Sequence, residues 1–353
     1  MPAESRPAPA SPKQTTRRKA TRFAVWASRS IFGAAALGAM QFVHAPEVAR
    51  APFAQFIGRS AWASGDAFGT SREVKLRFTL PGQQVEFPLA VVDDPSRLRY
   101  QWVPTSDTLP VTSPMPLSGA TVTAPPRAGF YHLVLLHQAA GDSTAVTTER
   151  VSEPTLAVMV PFAEKSAGLL NGYRIGTYLA ERLGGRHEEP QGFLEVQPQD
   201  LGLNVSRHFH LGDFITHDAQ ADVWPKYVAL NPRLLDKLEL VVAEVAKLRG
   251  ISPDSIAALD VHSGFRTPAH NAQVKRAARD SRHQYGDAAD IVIDADGDGR
   301  LTRSDSKIVA SAVDSVEESH PDLVGGLGLY TSSRYRTSYV HIDTRGHRSR
   351  WRG

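Results

Sequence analysis

The sequence predicts a multidomain chain, an N-terminal β-sandwich followed by a C-terminal α+β domain. Three observations predict it. Between Ser71 and about Val160, short apolar runs alternate with Pro and Gly at the spacing of antiparallel strands. From Leu234 to Leu248 apolar residues recur with helical periodicity. Beyond Gly250, strand-like and helical runs mix, and several carry histidine or aspartate. A length of 353 residues leaves room for two or three domains, and a hydrophobic fraction of 41% suits globular folding.

The N-terminal 70 residues read differently. Residues 1–22 hold six basic residues against Glu4 within a Pro-, Ala- and Ser-rich stretch, which predicts disorder. They account for more than the whole net charge of +3, so the rest of the chain is mildly acidic. No broad basic field is left to bind nucleic acid. Residues 23–45 are mostly apolar behind that basic flank, the pattern of an export signal or a single N-terminal membrane anchor. Residues 46–70 read as a linker. The chain has no cysteine, which excludes disulfides, thiolate metal sites and a cysteine nucleophile.

Residues 71–160 contain VKLRFTL, LRYQWV, ATVTAP, FYHLVLLH and TLAVMV, each strand-like. The stretch PPRAGFYHLVLL, a turn and then an aromatic strand, resembles a late strand of an immunoglobulin-like domain. This part shows no catalytic constellation and reads as a spacer or binding module. Residues 161–204 read as a short connector with some strand and turn. In VSRHFHLGDFI, Phe209, Leu211 and Phe214 read as an apolar anchor, with His208 and His210 turned away from it. The run LLDKLELVVAEVAKL reads as a core helix stopped by Gly250.

The chemistry concentrates in residues 205–353. In SRHQYGDAAD, His283 and Asp290 stand seven apart with small residues between them. Imidazole nitrogen and carboxylate oxygen suit zinc, and a catalytic zinc takes three protein ligands and keeps an open position. His341 in YVHID is the best candidate for the third ligand. Period two puts His341 and Asp343 on one face of that strand, a ligand beside a proton-handling or ring-orienting carboxylate. In SGFR, Arg266 follows a strand end and a glycine, placed to fork onto a carboxylate.

The order SGFRTPAHN, SRHQYGDAAD, GGLGLY and YVHID, followed by a terminal Arg-Trp, resembles the LAS-type zinc metallopeptidases, the D-Ala-D-Ala carboxypeptidase and murein endopeptidase group. The resemblance covers roughly residues 205–353. It implies an antiparallel sheet carrying zinc on His283, Asp290 and His341, with Arg266 near a substrate carboxylate. Peptides of peptidoglycan are the implied substrate, and the periplasm or cell envelope the implied location. Many members carry a catalytic glutamate three residues before the last histidine. Here that position is Ser338, and Asp343 is the substitute candidate. A non-catalytic wall-binding protein that keeps the fold is the competing expectation.

Residues 294–305, DADGDGRLTRSD, form a second motif. Asp294, Asp296 and Asp298 fall at positions 1, 3 and 5 of an EF-hand-type calcium loop. Gly299 takes position 6, the Arg300 carbonyl position 7 and Asp305 position 12. The helical run DSKIVASAVDSVEES follows, and calcium is the second expected ion.

Overall fold

Residues 69–87, 97–117, 119, 121–138, 146–184, 188–331 and 337–353 are described by a computed structural model. The basic stretch 1–22, the apolar stretch 23–45 and nearly all of the 46–70 linker lie outside the described residues. Among the described residues no helix is long and apolar enough to cross a membrane. The fold is mixed α/β, with several sheets and few helices.

Seven strands form first: β1 (Leu76–Thr79), β2 (Gln84–Glu86), β3 (Leu98–Pro104), β4 (Met115–Pro116), β5 (Thr121–Thr123), β6 (Gly129–Gln138) and β7 (Val146–Val158). One sheet has the order β1-β7-β6-β3-β4, and β2 pairs with β5 separately. Alternating burial along β3 sends Leu98, Tyr100 and Trp102 inward. There they share a core with Leu133 and Leu135 of the same sheet and with Val85 and Val122 of the β2–β5 pair.

Residues 161–204 do more than connect. After β8 (Val160–Pro161) come β9 (Leu169–Leu170), β10 (Tyr173–Arg174), α1 (Leu179–Leu183) and β11 (Gly192–Val196), which pairs with β8 and with β12 (Lys226–Val228). Tyr173, Tyr178, Phe193 and Leu194 are buried in the larger of the two cores. Val74, Leu76, Phe130, Ala157 and Met159 enter the same core from the chain before them.

The remaining elements are α2 (Pro232–Arg249), β13 (Leu259–Ser263), α3 (Pro268–Asn271), β14 (Ala288–Ile293), α4 (Arg303–Ser319), β15 (Gly326–Tyr330), β16 (Tyr339–Asp343) and β17 (Ser349–Arg352). Asn231 caps α2 by accepting the Arg233 N–H, and Gly250 ends it in the left-handed conformation. The helix is less one-sided than its periodicity suggests, because Asp236, Lys237 and Glu239 are all buried. Each has partners, as buried charge requires: Asp236 accepts the backbone N–H groups of Thr70 and Ser71, and Glu239 accepts the His208 N–H at 2.8 Å.

The strands form a sheet of order β13-β14-β16-β15-β17. It is antiparallel except at its edge, where β15 and β17 run parallel, a correction to the wholly antiparallel sheet expected. Alternation sends Ile291, Val340, Ile342 and Leu327 into the core with α2 and α4. Asp290, His341 and Asp343 therefore project from the opposite face.

Candidate metal centre

The register of two strands brings the first two candidate ligands together. Asp290 on β14 and His341 on β16 are direct cross-strand partners, so their side chains lie on one face, a few ångströms apart. His283 comes from a 3-10 turn, Arg282–Tyr285, just before β14. That turn ends at Gly286 with φ +70°, where a Cβ would stand 2.1 Å from the Ala229 carbonyl oxygen. Only glycine satisfies both constraints. It lets the chain fold back so that His283 reaches Asp290.

His283 Nε2, His341 Nδ1 and Asp290 Oδ1 converge, with separations of 3.1, 2.9 and 3.3 Å. All three residues are buried. Zinc bonds of roughly 2.0–2.1 Å at tetrahedral angles put ligand atoms about 3.3 Å apart. The three atoms are thus spaced as ligands of one ion, and the residues form a group that can hold a metal.

The neighbours fix which nitrogen is available. His283 Nδ1 lies 2.7 Å from the Gly264 carbonyl, which can only accept, so that nitrogen carries the proton and Nε2 keeps its lone pair. On His341 the roles of the nitrogens reverse. Nε2 lies 3.0 Å from Asp343 Oδ2, leaving Nδ1 for an ion. Arg266 donates to Asp290 Oδ2 at 2.5 Å and to Ser263 Oγ at 2.8 Å, so the other carboxylate oxygen, Oδ1, points at the histidines. Such outer contacts orient ligands and tune their basicity.

The charges reinforce one another. Burial opposes ionisation of Asp290, but the two imidazoles hold its carboxyl well below the usual range. Burial lowers the His283 pKa and outweighs the pull of Asp290. For His341, burial is outweighed by hydrogen bonds to Asp290 and Asp343, and its pKa rises. Asp343 is wholly buried, and its carboxyl is held far below the usual range against burial by His341, Arg345 and the Gly326 N–H.

The sequence leaves two roles open for Asp343, and its position fits the ring-orienting one. It stands behind the His341 ring, on the side away from the three ligand atoms. Its oxygens also accept from Gly326 N–H at 2.7 Å and from Arg345. That is the place of a ring-orienting carboxylate, not of a base acting on water at an ion. Arg266 is likewise engaged with Asp290 and Ser263. Among the described residues no further His, Asp or Glu joins the group.

Two glycines make room for this arrangement. A Cβ on Gly326 would meet Asp343 Oδ2 at 2.3 Å, and one on Gly328 would meet the Trp351 indole at 2.5 Å. Trp351 lies 5.1 Å from the His341 ring, and its Nε1–H donates to Tyr330 at 3.0 Å. The sequence pointed to the GGLGLY stretch and the terminal Trp, but not to their use. His208 lies between Glu239 at 2.6 Å and Asp254 at 3.2 Å, away from this centre, and His210 is exposed.

A second group, Asp294, Asp296 and Asp305, can also hold an ion. Asp294 accepts the N–H groups of Gly297 and Gly299, the latter at φ +77°. Asp305 accepts from Ala295, Asp296 and Thr302. Asp298 is outside the group, and its carboxylate accepts the Arg300 N–H instead. The loop begins one residue after β14, the strand that carries Asp290.

Compared with known proteins, the chain matches no family model, no curated protein and no solved structure.

Proposed function

We propose that this chain is an exported zinc peptidase of the cell envelope, acting on stem or cross-link peptides of peptidoglycan. The carrying observation is the convergence of His283 Nε2, His341 Nδ1 and Asp290 Oδ1 at 2.9–3.3 Å, each oriented from behind. Two imidazoles, one carboxylate and no sulfur form a donor set suited to zinc. Zinc bound there would supply Lewis-acid polarisation of a scissile carbonyl and a water made nucleophilic near neutral pH.

The residues have separate tasks. Asp343 and the Gly264 carbonyl hold the two ring tautomers. Arg266 occupies the second oxygen of Asp290, so Oδ1 is the oxygen that would be offered to zinc. The acidic loop would hold calcium on Asp294, Asp296 and Asp305. The N-terminal strands form an immunoglobulin-like spacer. Tyr131 supports this, its hydroxyl donating to the Arg127 carbonyl at 3.0 Å across the turn before β6, as in a tyrosine corner. So does Trp102, buried on the neighbouring β3.

The missing carboxylate near Ser338 favours one competing reading, a wall-binding protein that keeps the metal fold without hydrolysis. Incubation of the zinc-loaded chain with purified cross-linked muropeptides, followed by mass analysis, separates the two. Cleavage products that disappear with His283→Ala support the peptidase. Bound zinc with no product at any pH supports the binding protein.

A further inference from the structure

Behind the metal strand lies a buried ion pair that the proposed chemistry does not use. Lys237 on α2 is wholly buried, and its Nζ donates to Glu317 Oε1 on α4 at 2.7 Å. The same ammonium donates to the main-chain carbonyl of Asp343 at 2.8 Å. Glu317 Oε1 accepts the Gly325 N–H at 3.0 Å, and its other oxygen accepts from Arg350. Arg350 returns to the Gly325 carbonyl at 2.9 Å. A Cβ on Gly325 would stand 1.9 Å from the Asp343 carbonyl oxygen, so the two backbones touch there.

The network has one focus. Lys237 holds Asp343 by its main chain, while Gly326, next to the anchored Gly325, holds it by its side chain. Two helices and the strands β15 and β17 therefore converge on the residue that orients His341. Both charges sit on apolar stripes. Lys237 falls between Leu234 and Val241 at i+3 and i−4, and Glu317 follows Val313 by four. A simple helix-packing contact would be met by leucine at either position, without the desolvation of two charges.

We propose that Lys237 and Glu317 are positioning residues for the metal centre, fixing the end of β16 so that Asp343 meets His341 Nε2 and leaves Nδ1 to the ion. The inference rests on the metal reading above. It is tested in the full-length chain with Lys237→Met/Glu317→Leu, which removes both charges together. Three quantities are read: the melting temperature, the zinc affinity by chelator competition and the visible absorption of the cobalt(II)-loaded protein.

The expected result is a folded variant that binds zinc about tenfold to a hundredfold more weakly, the usual scale for an outer partner of a ligand, with a shifted cobalt band. A folded variant with unchanged affinity and spectrum overturns the proposal and leaves the pair a helix-packing device. Should the double variant fail to fold, Glu317→Gln carries the same test, since it keeps the shape and an acceptor while removing the charge. If the unaltered chain takes up neither zinc nor cobalt, the metal reading itself falls, and this one with it.

Discussion

Asp343 shows how much one side chain decides. Its carboxylate faces His341 Nε2 at 3.0 Å, and that hydrogen bond determines which ring nitrogen can bind an ion. Asp343→Asn keeps the shape and weakens the bond. Zinc affinity, measured by chelator competition, is expected to fall about tenfold to a hundredfold. The same ring brings a pH dependence. An ion displaces the proton from Nδ1, and the His341 pKa is raised in the metal-free protein by Asp290 and Asp343. Protons therefore compete for this ring at a higher pH than for an ordinary histidine. Apparent zinc affinity should climb from about pH 5 towards pH 8. A flat affinity profile across that range would exclude proton competition at His341.

At the scale of elements, the readable and unreadable parts of the sequence separate by a physical rule. Local periodicity announced α2 and the strand YVHID, the loop motif announced α4, and ligand chemistry singled out His283, Asp290 and His341, which the structure brings together. Strand pairing was invisible. Nothing local says that Asp290 lies opposite His341, or that β17 runs parallel to β15. The role of Asp343 was half legible. Its face followed from period two, but its place behind the ring depends on Gly326 and Arg345, which only the fold brings near. Gly328 tests this level. Gly328→Ala puts a methyl group 2.5 Å from the Trp351 indole, so the ring must leave its seat beside His341. The expected cost is about 1–3 kcal/mol of stability, measured by denaturant unfolding. The acidic loop gives a second test. Asp305 closes the loop onto Ala295 and Asp296 and caps α4 through Thr302. Asp305→Ala should cost about 1 kcal/mol without calcium and abolish any rise in melting temperature that calcium brings.

For the molecule as a whole, the sequence suggests two domains joined by a connector; the N-terminal strands keep an apolar cluster of their own, and the larger core also takes residues from them. Leu76 and Met159, from the strands on the sandwich side, share one apolar cluster with Phe193, Val228 and the helices that back the metal sheet. The chain entering the N-terminal strands is also tied down: Thr70 and Ser71 donate to Asp236 of α2, and Lys75 N–H donates to the Val205 carbonyl at 2.9 Å. Apolar burial stabilises by about 25 cal/mol per Å², so cutting through such a core exposes surface that neither half can cover. A chain beginning at residue 161 should therefore be poorly soluble or molten, even though every candidate metal ligand lies beyond that point. The described part of the intact protein should unfold in one cooperative calorimetric transition, with equal calorimetric and van't Hoff enthalpies. Two separable transitions, or a soluble and cooperatively folded fragment 161–353 that binds zinc as tightly as the whole chain, would show that the sandwich is an independent spacer. The shared core argues that this spacer also braces the sheet that carries the candidate ligands.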